Sequence, residues 1–183
     1  MKRSAFLVLL FTVLFALLGT PVASALDKGA DGWFHTGDGI RVKTIAFVNF
    51  KVYAIGHDMK DLPDAKSKQA VIDQDTTKRF TWRMLRDVEK EKIQNALKEA
   101  YAMNGFSDGG KIGQFVGAFT GDLKEGQYVT ITYDAGDKAT TIRVLGGGGS
   151  ATVPGADFMK ATWSVWFGKI DQPSLGDALI SKM

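Results

Sequence analysis

Between Ile40 and Ala54 the chain alternates. Apolar side chains fall on the even positions Ile40, Val42, Ala46, Val48, Phe50, Val52 and Ala54; Arg41, Lys43, Asn49, Lys51 and Tyr53 fall on odd ones, with Ile45 and Phe47 as exceptions. A period of two is the signature of a strand with one face on a core and the other in water. Carried from Gly39 to His57 the pattern covers 19 residues. At about 3.3 Å per residue a single straight strand of that length would reach roughly 60 Å, too long for a domain of this size. The run must bend, bulge or turn, and Thr44–Asn49, where the alternation is least clean, is where the break is expected. On the pattern alone the odd face, with Lys43 and Lys51, meets water.

Further strands are expected where alternation returns. Lys78 to Arg86 places Phe80, Trp82 and Met84 on one face; Gln127 to Tyr133 and Thr140 to Leu145 pair as a hairpin across the turn Asp134-Ala135-Gly136-Asp137. Helical spacing appears weakly after Pro63 and clearly from Val88 to Met103, with Asp87 as the expected N-cap and Asn104-Gly105 as the stop. A second helix is expected from Gly110 to Phe119. A third starts at Pro154-Gly155-Ala156-Asp157, with Phe158, Ala161, Thr162, Val165 and Trp166 as its buried stripe, and a last one runs from Pro173 to Leu179. Gly146 to Gly149 lacks the Lys-Ser/Thr of a phosphate cradle and reads as a flexible loop. The elements sum to an α+β architecture: an antiparallel sheet with helices on one face and a cleft between them.

The first 25 residues read as an address. Lys2-Arg3 precedes an apolar run from Ala5 to Gly19; Thr20-Pro21 breaks it and Ala23-Ser24-Ala25 follows. Charged, apolar, breaker, small-x-small describes a cleavable secretory signal cut after Ala25. The rival is a membrane anchor, but a run of about 15 residues falls short of the roughly 20 that span a bilayer. The remaining residues 26–183 are expected to form one periplasmic or secreted domain, with no stable membrane insertion after cleavage.

Composition narrows the chemistry. There is no cysteine, which excludes disulfides, thiolate metal sites, cysteine nucleophiles and a lipid-anchored N-terminus. Removing Lys2 and Arg3 leaves 21 basic against 20 acidic side chains, so no nucleic-acid footprint is expected. His35 and His57 form no HxH or HxxxH pair, and Asp27, Asp31 and Asp38 lack the spacing of a calcium loop. Neither a metal nor another cofactor is implied, and both histidines read as strand-end or loop residues meeting solvent. No GxSxG is present, and the pairs Asp61/Asp64 and Glu89/Glu91 read as solvated faces. The one constellation with a chemical reading is Gly37-Asp38-Gly39-Ile40-Arg41 leading to Phe50-Lys51-Val52-Tyr53-Ala54-Ile55-Gly56. The glycines permit a turn or a close backbone approach just before the arginine. If the strand folds back or bulges, the Arg41 guanidinium can enter the cleft and grip a carboxylate or enolate oxygen in two-pronged fashion, with the Tyr53 phenol as a second donor.

These stretches resemble the chalcone isomerase family, and more closely its bacterial exported, chalcone isomerase-like branch. Gly37-x-Gly39-x-Arg41 is similar to the family's glycine-arginine motif, and Phe50 to Gly56 to the strand that follows it. Pro154 to Phe158 through Trp166-Phe167-Gly168, then Pro173 to Leu179, is similar to its closing helices. The resemblance implies an open-faced β-sandwich, a large antiparallel sheet covered by a layer of helices. Plant members close a flavanone ring; others are fatty-acid-binding proteins in which an arginine and a tyrosine hold the carboxylate. Arg41 matches the arginine of both branches. Tyr53 stands at the position of a catalytic threonine. The segment near Arg86 to Ala100 carries no tyrosine, Asn95 is off the family spacing, and Val165 stands where a further threonine is found. With that set missing, the resemblance implies non-catalytic binding of an anionic amphipathic molecule such as a fatty acid, with Arg41 and Tyr53 as the ligand-binding residues. Two alternatives stay open: an intramolecular lyase with its own substrate, and a structural or interaction protein whose cleft is filled by Tyr53, Trp82 and Trp163. Protein partners are left open.

Overall fold

A computed structural model describes residues 26–183. The expected signal segment, residues 1–25, lies outside the described residues. Six strands form one antiparallel sheet in sequence order: β1 (Phe34–Ile45), β2 (Val48–Met59), β3 (Lys78–Met84), β4 (Tyr128–Asp134), β5 (Ala139–Val144) and β6 (Ser150–Pro154). Five helices accompany it: α1 (Lys68–Asp73), α2 (Lys90–Met103), α3 (Gly109–Val116), α4 (Ala156–Phe167) and α5 (Pro173–Ala178). The buried face of the central strands carries Phe80, Trp82 and Met84, Val129, Ile131 and Tyr133, and Ile142 and Val144. The helices cover this face and leave the other open, as the resemblance implies.

The long alternating run folds back at Ala46-Phe47, within the expected segment, and β1 pairs with β2 from Ile45↔Val48 onward. Pairing also slips by one residue, from Val42↔Lys51 to Arg41↔Tyr53, leaving Val52 as an extra residue in β2. A bulge of this kind reverses the phase of the strand that carries it. Phe50 and Val52 therefore share a face with the odd residues Tyr53, Ile55, His57 and Met59. The expectation that the odd face meets water is overturned: Tyr53, Ile55, His57 and Met59 are buried beneath the helices, while Ile40 is exposed on the open side.

α4 is the keystone. Eight of its 12 residues are buried, because it lies on the sheet and is itself flanked by α1, α2 and α5. A single apolar stripe does not suffice for a helix enclosed in this way. Trp163 stacks on Phe80 at a centroid separation of 5.0 Å, and Trp166 meets Trp82 edge-on at 5.4 Å.

Three local expectations are corrected. Asp87 does not cap α2; its carboxylate accepts the Glu125 N–H at 2.9 Å and pairs with Lys124, while Asp122 accepts the Lys90 N–H at 3.1 Å. The two loops thus cap each other across the Val88↔Leu123 bridge, an exchange that local spacing does not reveal. Ser150–Pro154, where no strand is expected from the sequence and Pro154 is read as the start of a helix, is the edge strand β6, held by five pairs with β5. His57 is buried rather than solvated. Its Nε2 accepts the Trp163 indole N–H at 2.9 Å, which leaves the ring proton on Nδ1 to donate to Thr36 Oγ1 at 2.7 Å; Thr36 in turn donates to the Leu179 carbonyl at 2.7 Å. This chain ties β2 to α4, β1 and the C-terminus. His35, at the strand start, is half-exposed and lies between Asp58 and Asp38 at 2.8 and 2.7 Å.

Candidate functional site: a cavity beside Arg41

The glycine-arginine segment is shaped by the last helix. A Cβ on Gly37 would overlap the Ala178 carbonyl oxygen, and one on Gly39 would overlap the Leu175 side chain. Side-chain-free backbone at these positions lets α5 lie directly on β1. The loop entering α5 then reaches Arg41. Gln172 behaves as a surrogate strand: its Oε1 accepts the Val42 N–H at 2.8 Å and its Nε2 donates to the Ile40 carbonyl at 3.0 Å. Asp171 accepts from Arg41 Nη2 at 2.6 Å and from Lys43 Nζ at 3.1 Å.

Arg41 is 16% exposed and its Nη1 also donates to the Val42 carbonyl at 2.8 Å. Tyr53 sits directly across from it in the β1–β2 register. Its ring stacks on Trp82 at 4.7 Å, and its hydroxyl accepts the Trp166 indole N–H at 3.0 Å. Among the described residues the hydroxyl has no acceptor for its own proton. Burial raises the Tyr53 pKa, more than the Trp166 hydrogen bond and the nearby Arg41 charge lower it, so the phenol stays a neutral donor. For Asp171 partial burial opposes ionisation, but Arg41 and Lys43 outweigh it and hold the carboxyl below its ordinary range.

Arg41 and Tyr53 open onto one cavity of about 760 Å³, bounded by the β1–β2 hairpin, α2 and the C-terminal end of α4. That volume is within the roughly 300–1,000 Å³ of small-molecule sites. The sheet contributes Ile45, Phe50 and Val52, α2 contributes Ile93, Ala96, Leu97, Ala100 and Met103, and Val165, Trp166 and Ile170 complete the apolar wall. Charged residues around it are largely paired with each other, Asp87 with Lys124 and Glu89 with Lys92. Asn95 also borders the cavity, so the four positions compared with the family set, Arg41, Tyr53, Asn95 and Val165, converge on the same hollow. Tyr53, Trp82 and Trp163 pack in the core and leave this space open.

Sequence reasoning missed Trp166 as the partner of Tyr53 and missed Asp171 and Gln172 altogether. The available signal for the last two was their position just before Pro173, which begins α5 and fixes where the preceding residues lie. Among the described residues no cluster of three or more His, Asp or Glu is placed to hold a metal, and no helix is long and apolar enough to cross a membrane.

A six-stranded antiparallel sheet with helices on one face and an arginine-bearing cavity beneath α2 defines an open-faced α+β architecture. The sequence profile described as chalcone isomerase-like matches residues 24–179, and the chain belongs to that family. Among solved structures it is similar to a fatty-acid binding protein of Arabidopsis thaliana, with a TM-score of 0.65 and 17% identity over 85% of this chain and 90% of that one. No curated protein matches the chain.

Proposed function

We propose that the protein is a non-catalytic carrier of an anionic amphipathic molecule, a fatty acid or a molecule of that shape, exported by way of residues 1–25 to the periplasm or beyond. The observation that carries the reading is a largely apolar cavity of about 760 Å³ whose polar groups include a shielded guanidinium and an unspent phenol proton. The Arabidopsis protein of the same fold is a fatty-acid binding protein, which favours this ligand class. In this account the ligand carboxylate takes Arg41 and Tyr53 while its tail lies along α2. Asp171 is a built-in occupant of the guanidinium, and it can yield that place while keeping Lys43.

Native mass spectrometry of the protein isolated from its host compartment, with fatty-acid titration by thermal shift, tests the reading. A co-purified acid and a raised melting temperature are expected, as is a mature chain beginning at Leu26. Arg41→Ala is expected to weaken binding by about 1–3 kcal/mol, the scale of a lost charged hydrogen bond. Asp171→Asn is expected to tighten it by removing the internal competitor.

One observation favours a structural reading, the 2.6 Å Arg41–Asp171 pair, which pins the loop between α4 and α5. On that reading both substitutions lower stability and neither protein binds fatty acid. An intramolecular lyase would need an ordered phenolate as well as a stabilised enolate. Chalcone turnover is therefore expected to stay at background.

A further inference from the structure

We propose that the tip of the β1–β2 hairpin is a docking finger for the surface of an anionic lipid bilayer. Pairing of β2 with β3 begins only at Tyr53↔Met84, so Val42–Ile45 and Val48–Lys51 project as a two-stranded ribbon beyond the rest of the sheet, by roughly 14 Å at strand spacing. Its end is apolar. Phe47 is wholly exposed, and Ile45 and Val48 are 59% and 54% exposed.

The turn is built against its own conformational preference. Ala46 and Phe47 both adopt positive φ, at 47° and 68°. Two-residue hairpin turns of this hand favour Asn-Gly, since other L-residues are strained there. A sequence that sets phenylalanine at such a corner gives up stability to present a ring to the outside, a pattern expected of functional segments.

Charge selects the partner. Residues 39–57 contain Arg41, Lys43 and Lys51 and no Asp or Glu; Asp171 pairs with Arg41 and Lys43, so the ribbon keeps a positive excess with Lys51 unpaired among the described residues. An apolar tip with a positive excess behind it is the pattern of an interfacial anchor: the ring enters the acyl boundary while the Lys51 ammonium meets anionic headgroups. A second copy docked tip to tip would bring like charges together. Lys43 and Ile45 also line the cavity, so the surface set against lipid adjoins the hollow. The finger would thus serve ligand exchange with the bilayer, a role that rests on the carrier reading; the docking itself does not.

Flotation of the protein with phosphatidylcholine vesicles, with and without phosphatidylglycerol, tests the proposal. Binding is expected to phosphatidylglycerol vesicles and to fall with added salt. Phe47→Asp is expected to reduce it by about tenfold or more. The double substitution Ala46→Asn, Phe47→Gly is expected to raise the melting temperature and abolish flotation, which separates docking from folding. Affinity for a fluorescent fatty acid in vesicle-free buffer is expected to be unchanged in both variants. Absence of flotation by the unaltered protein, or flotation of Phe47→Asp at the unaltered level, overturns the proposal. So does a concentration-dependent dimer that Phe47→Asp abolishes without any vesicle binding. Flotation without fatty-acid affinity supports the docking finger and removes the carrier reading instead.

Discussion

The two histidines respond to acid in opposite senses. His57 is held neutral: burial, aided by the Lys78 and His35 charges, lowers its pKa well below 6.5. Its contribution is present above pH 6.5 and is lost as pH falls, because the unfolded chain takes up a proton that the native one refuses. Burial also pulls on His35, but hydrogen bonds and charges from Asp38 and Asp58 together raise its pKa above 6.5. Its contribution is complete below pH 6.5 and is lost as pH rises through the raised value. Urea unfolding at several pH values from 6.5 upward is expected to show that the loss of stability with rising pH through the raised value is present in the unaltered protein and missing in His35→Gln. His57→Gln is expected to be less stable at neutral pH but flatter below 6.5, with a difference in slope of at most about 1.4 kcal/mol per pH unit. None of this was legible in sequence. A solvent-facing reading of His57 followed from the strand pattern, and only the bulge at Val52 reverses the phase and carries the ring under α4. Arg41 was easier to single out, because the glycines before it announce a close approach, although what approaches is α5.

At the scale of elements, the region around Arg41 depends on contacts distant in sequence. α5 lies on Gly37 and Gly39 and carries Gln172 to the edge of β1. Gly37→Ala meets backbone atoms that cannot rotate away, and is expected to destabilise by about 1–3 kcal/mol or more, as overpacking does. It is also expected to loosen Asp171 from Arg41, which hydrogen exchange at Val42 would report. α1 offers a parallel case. Lys78, on β3, is buried and donates to the Val71 and Gln74 carbonyls at 2.6 and 2.8 Å, closing the C-terminal end of the helix. Burial lowers its pKa to about 7, against the pull of Asp75 and Asp73. Lys78→Met is expected to cost about 1–3 kcal/mol in thermal unfolding, because it leaves these carbonyls unpaired. Strands with clean alternation, such as β3 and β4, were readable to within a residue or two. β6 was not, because five residues that run from the end of a glycine run through Pro154 carry too little pattern. The start of α2 was misplaced because its capping carboxylate, Asp122, comes from another loop.

Across the whole molecule, one bulge and one helix account for the site. The bulge turns Tyr53 beneath α4 while Phe50 and Val52 stay on the same side, so the β1–β2 hairpin presents both a polar anchor and an apolar wall to α2. The order of motifs made the architecture legible from sequence, whereas the cavity depends on how far α2 stands from the hairpin, a distance that periodicity does not encode. The central claim is that the hollow beside Arg41 holds an anionic head with an apolar tail. Calorimetric titration of the purified protein with a long-chain fatty acid and with the alcohol of equal chain length tests it most directly. The account predicts saturable one-site binding of the acid, with clearly weaker binding of the alcohol and of the acid by Arg41→Ala. Equal affinity for acid and alcohol, or no heat of binding for either, would contradict it.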